Sequence, residues 1–505
     1  MKPTILNTSL WNQLRKLCTS STLPEIPSCP YNAPAYQGAE YERVKNSYAS
    51  NISPSVRPFY KEPLLIHQGR SQWLWDHKGK RYLDMFGGIV TVSVGHCHPK
   101  LVAAATEQMS KLGHTTSIYM HPRICEYTEK LIGKMPKELD VVYLVNSGSE
   151  ATELAFLMAR LYTGSQDIIS LNNCYHGGSY ASSASTAMST WRFPVCKPPG
   201  HIHVMNPDVY RGRWGGSHCR DSPVSPGGRK CDCTDDYCLA ADKYFAEFEE
   251  TFRFELPNDG SVAAFIAESI QGIGGAVQYP KTYLKKVYDL IHKNGGLCII
   301  DEVQTGFGRT GEHFWGFQGH GVQPDIVTMA KGIGNGFPMG AVVTTSEIAQ
   351  HLNKALHFNT FGGNPVACAV GSTVLDIIEE EGLQQNSWKV GTHLLHRLSA
   401  LRLDHPTVIG DVRGKGLMIG VELISDPETR KPLPHEQMME IFEDIKNMGV
   451  LLGKGGLDTN VLRIKPPMCV TIADADFTVE VIKRAIEIHQ DKYLTDKESV
   501  FCSAI

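Results

Sequence analysis

Short apolar runs rich in β-branched residues alternate with helical stretches from about residue 140 of the chain onward. The runs are VVYLV (141–145), DIISL (167–171), AAFIA (263–267), GLCII (296–300) and DIVTM (325–329). Each run leads into a polar or glycine-containing turn. This alternation predicts an α/β fold with a large, mostly parallel sheet and helices on both of its faces.

Chemically distinctive side chains follow these predicted strands. They are Ser149, Tyr175, Glu268, Asp301 and Lys331. Because parallel sheets bind ligands at the carboxyl ends of their strands, we expect the five to meet in one crevice. Lys331 follows a buried apolar run, where an unpaired ammonium is costly, and three closely spaced glycines after it prevent an ordinary helix. A lysine that merely extends from a strand end to solvent is the alternative.

The pattern divides the chain into predicted domains. A hairpin-bearing segment, 36–100, is expected to pack on the smaller domain. The large domain spans 101–346 and contains a polar insertion at 210–238, rich in proline and glycine, that we place at the surface. Residues 347–495 predict a smaller α+β domain. The remaining parts are a leader or disordered segment, 1–35, and a tail, 496–505.

Composition narrows the possible functions. The 505 residues are 42% hydrophobic and carry a formal net charge of -4, as expected of a large globular protein. No long basic run indicates nucleic-acid binding, and no apolar stretch approaches the roughly 18 residues that span a membrane. The 14 cysteines are mostly scattered singly, which favours a reducing compartment over a disulfide framework.

The first 24 residues contain no Asp or Glu but carry Lys2, Arg15 and Lys16. Four leucines share one helical face, and Ser and Thr are frequent. This composition is typical of a mitochondrial transit peptide, so we predict the mitochondrial matrix as the location. A disordered tail is the alternative.

Three features together point to one cofactor. The turn NSGSEATE at the start of a helix can bind a phosphate, although a plain capping box with Ser147 and Glu150 explains it equally well. Asp301 could keep a heterocyclic nitrogen protonated, or could pair with Arg309 at the surface. Lys331 supplies an amine for a Schiff base. Phosphate cradle, carboxylate and amine are what pyridoxal 5'-phosphate requires.

Six segments resemble the class III (ω-amino acid) aminotransferases, which are fold type I pyridoxal-phosphate enzymes. They are NSGSEA, YHGGS, DEVQTGFGRTG, AKGIGNGFPMGAV, NTFGGNPVACA and DVRGKGLMIGVEL, and the similarity covers about residues 55–490. The resemblance implies a ping-pong transaminase that acts on small amino acids and oxo-acids. Alanine or a β- or ω-amino acid such as β-aminoisobutyrate would donate the amino group, and glyoxylate or pyruvate would accept it.

The resemblance also implies roles for individual residues. Lys331 would bind the cofactor and move the substrate proton, and Asp301 would pair with the ring nitrogen. The other implied cofactor contacts are Gly148 and Ser149 at the phosphate, Tyr175 on the ring face, and Gln304 beside the phenolic oxygen. Thr360 would reach the phosphate in a neighbouring subunit, which implies a homodimer or a dimer of dimers with shared active sites.

Two residues are implied for the substrate. Arg413 would bind a substrate carboxylate with two hydrogen bonds. Glu268 matches an acidic residue that pairs with or releases an active-site arginine in several members of the family. The family usually has Pro after this Glu, whereas this chain has Ser269, which puts the local turn in question.

Two other functions compete with transamination. Relatives on the same fold are pyridoxal-phosphate lyases of phosphorylated amino alcohols, which would need an additional basic cluster. A zinc- or partner-binding role could instead use the four cysteines of the insertion, Cys219, Cys231, Cys233 and Cys238. They lack the paired CxxC spacing of many zinc sites, so free thiols are the alternative, and we assign no metal ligand.

Overall fold

In the computed structural model, which describes residues 25–227 and 229–502 with side chains through residue 493, the strands form three sheets. In chain order the strands are β1 (Ile66–Arg70), β2 (Trp73–Asp76), β3 (Arg81–Asp84), β4 (Val141–Val145), β5 (Ile168–Leu171), β6 (His201–Val204), β7 (Ala264–Glu268), β8 (Leu297–Asp301), β9 (Ile326–Met329), β10 (Gly340–Thr344), β11 (Ile409–Lys415), β12 (Met418–Asp426), β13 (Lys431–Pro432), β14 (Val450–Leu451), β15 (Gly453–Gly455) and β16 (Val461–Ile464).

Helices connect and cover these sheets. They are α1 (Tyr41–Asn51), α2 (Gly87–Val90), α3 (Pro99–Lys111), α4 (Pro122–Ile132), α5 (Gly148–Thr163), α6 (Tyr180–Ser185), α7 (Leu239–Glu255), α8 (Tyr283–Lys293), α9 (Ser346–Gln350), α10 (Pro365–Glu380), α11 (Leu383–Asp404), α12 (His435–Asn447) and α13 (Ile472–Cys502). Within the described ranges, none of them is both long and apolar enough to cross a membrane.

The largest sheet has seven strands in the order β4-β10-β9-β8-β7-β5-β6. Strands β9, β8, β7, β5 and β6 run parallel, whereas β10 is antiparallel to both of its neighbours. The carboxyl ends of β4, β5, β7, β8 and β9 therefore lie along one edge. The predicted α/β fold with a mostly parallel sheet is confirmed.

Both faces of this sheet are buried, which explains its continuous apolar strands. In β7 the side chains of Ala264 and Ile266 belong to the cluster around α5, whereas Phe265 and Ala267 pack with α7 and α8. Alternate residues of a strand point to opposite faces, so a strand covered on both sides has no polar face.

Two smaller sheets contain the N- and C-terminal parts of the chain. The hairpin β1–β2–β3 is extended by β14, whose Val450 pairs in parallel with Leu83. The other sheet has the order β11-β12-β16-β15, with β13 on β12. The segment 36–100, predicted to pack on the C-terminal domain, thus shares a sheet with a C-terminal strand.

Three sequence expectations need correction. The insertion 210–238 is not a surface loop throughout, because Cys219, Arg220 and Val224 are buried. Within the predicted leader 1–35, residues 1–24 lie outside the described part, but residues 25–35 pack on the core, and Tyr31 meets Trp75 edge-on with ring centroids 5.5 Å apart. Helix α13 continues to residue 502, through most of the predicted tail, and the last three residues lie outside the described part.

Candidate active site

A cavity of about 310 Å³ lies at the carboxyl edge of the large sheet. Seven of the nine predicted site residues line it, whereas Thr360 and Arg413 do not. The seven are Gly148, Ser149, Tyr175, Glu268, Asp301, Gln304 and Lys331. They meet because each follows a strand that ends at this edge.

The first turn of α5 forms one wall of the cavity. Ser147 caps the helix by accepting a hydrogen bond from the Glu150 backbone N–H at 3.2 Å, and the Glu150 carboxylate accepts one from the Asn146 N–H at 2.6 Å. The cap and an anion site coexist here, since the first-turn residues Gly148 and Ser149 remain at the cavity wall. Helix N-termini attract anions through free N–H groups and the helix dipole. A Cβ at Gly148 would lie 3.3 Å from Val303 Cγ2, so glycine keeps this turn uncrowded.

Asp301, at the end of β8, is held by two donors within the protein. Its Oδ2 lies 2.8 Å from His176 Nδ1, and its Oδ1 accepts a hydrogen bond from the Val303 N–H at 3.0 Å. Burial opposes a charged imidazole, but Cys174 and this hydrogen bond outweigh it and raise the pKa of His176. The alternative pairing with Arg309 is absent, because that guanidinium donates to the carbonyls of Leu417 and Pro466. The carboxylate is therefore fixed in the cavity wall.

Lys331 follows β9 directly and begins a short 3₁₀ turn, Lys331–Gly334. Its φ of 49° lies in the left-handed region, which non-glycine residues adopt only when their surroundings impose it, often at functional sites. Burial lowers the pKa of the amine; nearby Asp301 opposes this lowering, and Arg463 adds to it. The lowered pKa increases the neutral fraction, which is the nucleophilic form.

Two buried cations lie behind Gln304. Its Oε1 accepts hydrogen bonds from Arg463 Nη2 and from Lys465 Nζ, each at 3.1 Å, and Lys465 also donates to the Gly272 carbonyl at 3.1 Å. Burial, and then the charge of Arg463, lower the pKa of Lys465 well below its usual value. Burial also lowers the pKa of Arg463, to about 10. The basic groups of Arg463 and Lys465 therefore have neutral oxygens, and no carboxylate among the described residues, as their hydrogen-bond partners.

Glu268 makes no ion pair with an arginine in the described part of the chain, which corresponds to the released state of the expected pairing. Its carboxylate accepts hydrogen bonds from the backbone N–H groups of Tyr175 at 3.1 Å and Gly272 at 2.5 Å. Burial is the main reason that its pKa is raised. Glu268 thus fixes the turns that carry Tyr175 and Gly272, and this bonding holds with Ser269 in the place of the usual proline.

Arg413 lies in a second cavity, of about 360 Å³, and its charge is already neutralised. Its Nη1 lies 2.6 Å from the Glu422 carboxylate and 3.1 Å from that of Asp411, and its Nε donates to the Gly275 carbonyl at 2.8 Å. Although burial opposes the charge, Glu422 and Asp411 raise the pKa of Arg413. The predicted carboxylate-binding arginine is therefore occupied by acidic residues of the chain itself.

Thr360 lies in an exposed loop near the start of α10. Its neighbours Phe358 and Phe361 are also exposed, and Phe361 packs beside His114 with ring centroids 5.4 Å apart. Within one subunit, this loop does not line the cavity that contains Lys331.

Comparison with known proteins places this geometry in a family. The family model described as aminotransferase class-III matches residues 56–486. The chain belongs to the class III aminotransferases. A human relative named alanine–glyoxylate aminotransferase 2, mitochondrial, is 52% identical over 472 residues, covering 93% of this chain and 91% of the relative.

Solved structures of similar enzymes extend the comparison. A PLP-bound amine transaminase from an uncultivated Pseudomonas species is 30% identical, with a TM-score of 0.77, covering 90% of this chain and 99% of that one. A phospholyase from Arthrobacter in complex with phosphoethanolamine is 32% identical, with a TM-score of 0.78, covering 88% of this chain and 99% of that one. The class III aminotransferase described here thus has the fold of type I pyridoxal-phosphate transaminases.

The cofactor of this class III aminotransferase is pyridoxal 5'-phosphate, and the cavity fits it. Three independent groups line it: a helix N-terminus for an anion, a carboxylate for a protonated ring nitrogen, and an amine of lowered pKa. Sequence reasoning did not identify His176, Arg463 and Lys465. The signal for His176 was its position next to Tyr175, and that for the other two was a pair of cations within the apolar run VLRIKPP.

Proposed function

We propose that this transaminase moves an amino group from alanine or a β- or ω-amino acid, such as β-aminoisobutyrate, to glyoxylate or pyruvate. The proposed kinetics are ping-pong, and the proposed location is the mitochondrial matrix. The observation that carries the proposal is a single cavity that contains both Lys331 and Asp301. The name of the human relative supports alanine and glyoxylate as substrates and a mitochondrial location, and the absence of Asp and Glu from the first 24 residues also supports that location.

Each residue of the cavity has a proposed task in this reaction. When bound, the cofactor supplies an electron sink that makes the hydrogen on the amine-bearing carbon of the substrate acidic. Lys331 Nζ binds the cofactor covalently and then carries the substrate proton. Asp301, oriented by His176, keeps the ring nitrogen protonated because its carboxylate favours the cation. Gly148 and Ser149 bind the phosphate, Tyr175 covers the ring face, and Gln304 contacts the phenolic oxygen.

Arg413 is proposed to bind the substrate carboxylate. This role requires the substrate to replace Glu422 or Asp411 as the partner of the guanidinium. Glu268 is proposed to fix the backbone of Tyr175 and Gly272 through its two hydrogen bonds, and not to act as the partner of this arginine. Exchange of one carboxylate for another leaves the buried arginine paired throughout, which avoids the cost of an isolated buried charge.

A homodimer, alone or paired into a tetramer, is proposed because apolar side chains cluster on the surface near Thr360. Met120 is fully exposed, and the exposed Phe361 contacts His114 in the neighbouring segment. Mixing inactive Lys331→Ala and Thr360→Ala chains tests the sharing of sites. If Thr360 serves the partner's site, a mixed dimer regains one intact site and therefore activity. No recovery in demonstrably mixed dimers would place Thr360 in its own subunit's site.

A phospholyase is the second candidate, because a phospholyase structure is as similar to this chain as the transaminase structure is. The positive groups Arg463 and Lys465 are engaged with Gln304 and do not line the cavity, which favours transamination. The test is a matrix of donors and acceptors on the purified enzyme, read by the cofactor spectrum in each half-reaction. Release of ammonia and phosphate from phosphoethanolamine, without amino transfer to an oxo-acid, would overturn the proposal.

A further inference from the structure

Four cysteine sulfurs converge in the segment 219–238, of which no residue lines the cofactor cavity. The Sγ atom of Cys219 lies 3.6 Å from that of Cys231 and 3.6 Å from that of Cys233. The Sγ atoms of Cys219, Cys233 and Cys238 all lie within 4.8 Å of one another. All four thiols are free, and they come from separate turns that the chain folds together.

The sulfurs of Cys219, Cys233 and Cys238 form a compact trio, and Cys231 Sγ lies beside Cys219 but not within 4.8 Å of all three. Four sulfurs placed tetrahedrally around a zinc ion at about 2.3 Å are about 3.8 Å apart. The two 3.6 Å spacings from Cys219 are close to this value, and rotation of the Cys231 side chain would bring its sulfur to the fourth position. A disulfide would instead bring one pair to about 2.0 Å and leave the other sulfurs without a partner. Cys219 Sγ is equally close to two other sulfurs, at 3.6 Å each. A disulfide would need it close to only one of them.

Backbone groups around the cluster can stabilise negatively charged sulfurs. The His218 N–H donates a hydrogen bond to Cys231 Sγ at 3.2 Å, and Cys238 is the N-cap residue of α7, where the helix dipole favours a negative charge. Such N–H···S hydrogen bonds orient metal ligands and stabilise their negative charge. A Cβ at Gly216 would lie 2.8 Å from Cys231 Sγ, so a glycine is needed for this approach.

We propose that Cys219, Cys231, Cys233 and Cys238 bind one Zn²⁺ ion as four thiolates in a structural site. Each thiol releases its proton to solvent when it binds the ion. Because all four positions are occupied by the protein, no position is open for a water or a substrate, which makes the site structural and not catalytic.

The zinc site would hold the segment against the C-terminal sheet. Arg220, next to Cys219, donates to both oxygens of Asp411 at 2.7 and 3.0 Å and to the Val412 carbonyl at 2.6 Å. On the other side, the Cys219 carbonyl accepts a hydrogen bond from the Lys281 N–H at 2.7 Å. The short stretch Cys219–Arg220 therefore links the turn before α8 to β11, and the metal would hold that stretch in place.

Metal analysis of the full-length enzyme, purified without chelator, is the first test. We expect about one zinc per chain by plasma mass spectrometry, as for a tetrahedral four-thiolate site. An organomercurial should release the zinc as these four thiols react. Replacement by Co²⁺ should give the sulfur-to-metal charge-transfer bands of a thiolate complex.

Variants test the assignment of the ligands. Cys231→Ser changes the most accessible of the four, and Cys196→Ser, an exposed cysteine elsewhere in the same domain, is the matched control. We expect the first variant to lose most of its zinc and to melt at a lower temperature, and the control to match the wild type in both. Full zinc retention by Cys231→Ser would overturn the four-ligand assignment.

Two further results would overturn the proposal itself. Less than half a zinc per chain, with all four thiols titratable without reductant, would show that they are free cysteines. The same low zinc content, with two or four of these thiols titratable only after reduction, would show disulfides. Both measurements use the wild-type enzyme and are therefore independent of whether a variant folds.

Discussion

The cofactor cavity and the cavity around Arg413 are both buried and charged, but their charges are arranged oppositely. Around Arg413, basic and acidic side chains form ion pairs: Arg220 and Arg413 share Asp411, and Arg413 also meets Glu422. Around Lys331, the carboxylates of Asp301 and Glu268 are bonded to His176 and to backbone N–H groups. The basic groups of Arg463 and Lys465 are bonded to the neutral oxygens of Gln304 and Gly272.

The pKa shifts follow this difference. Although burial opposes ionisation, Arg220 and Arg413 lower the pKa of Asp411, so its charged form is favoured. Burial instead lowers the pKa of Lys331 and Lys465, which disfavours their charge. Ion pairs therefore favour the charged forms around Arg413, whereas burial without ion pairs disfavours the charged forms of the two lysines near the cofactor cavity.

Lys331→Ala should have the largest effect. We expect a folded protein that retains pyridoxal phosphate through its other contacts but shows no steady-state transamination and no borohydride-reducible bond to the cofactor. Wild type and variant are reduced in parallel and digested, and the cofactor is located by peptide mass. Label on a peptide that does not contain Lys331, or turnover by the variant, would contradict the role of this lysine.

Asp301→Asn should slow the chemical step by several orders of magnitude while leaving cofactor binding largely intact. The amide keeps the shape of the site but no longer favours a protonated ring nitrogen. Single-turnover rates with alanine measure the effect, with Asp259→Asn, at an exposed carboxylate, as the control. A rate within about tenfold of wild type, or about 1.4 kcal/mol of barrier, would show that Asp301 does not hold the ring.

Arg220→Met should remove the ion pair between Arg220 and Asp411 and leave Asp411 with Arg413 as its one remaining buried partner. We expect the free energy of unfolding to fall by about 3 kcal/mol at pH 7. The lowered pKa of Asp411 means that this stabilisation is present above the unfolded value of about 3.9 and is lost as the pH falls through the folded value. The difference from wild type in urea unfolding should therefore shrink below about pH 4. Arg213→Met, at an exposed arginine, is the control, and an equal loss in both variants would refute the explanation.

Arg413→Lys should raise the Michaelis constants of amino-acid donors and oxo-acid acceptors alike, by about ten- to a hundredfold. Lysine cannot reproduce the fork of a guanidinium, and a lost charge-assisted hydrogen bond is worth about 1.5–3 kcal/mol. Initial rates with alanine and with pyruvate measure both constants. Impairment for one partner only would mean that another residue holds the shared carboxylate.

Lys465→Met should have the smallest effect on stability, within about 1 kcal/mol of wild type in the apoenzyme. The lowered pKa shows that folding disfavours the ammonium, and methionine has a similar shape without the desolvation cost. Urea unfolding of apoenzyme and holoenzyme measures it. A loss above about 3 kcal/mol in the apoenzyme would show that Lys465 is paired as favourably as Arg413.

Local sequence patterns predicted the sheet and most of the cavity. They did not predict ion pairs between residues that are far apart in the sequence. Asp301 and Lys331 were predictable because each directly follows an apolar run, and parallel strands bring such positions together. The partners of Arg413 were not predictable. Its neighbour Asp411 is also bonded to Arg220, 191 positions away, and only packing of the insertion against β11 creates that pair. For the same reason, the sequence analysis placed the cysteines of the insertion at the surface, although Cys219, Cys233 and Cys238 are buried.

The sheet shared by the two ends of the chain has a consequence for how the protein folds. Strand β14 completes the sheet of β1 to β3, and next to it Gln72 donates to Asp474 at 2.8 Å across 402 positions. During synthesis, the N-terminal hairpin leaves the ribosome long before its partner strand exists. Closing so long a loop carries an entropic cost, and non-local pairings of this kind fold slowly. The edge of β3 therefore lacks its partner strand until Val450 and Leu451 have been made, and an unpaired strand edge is open to aggregation during that interval.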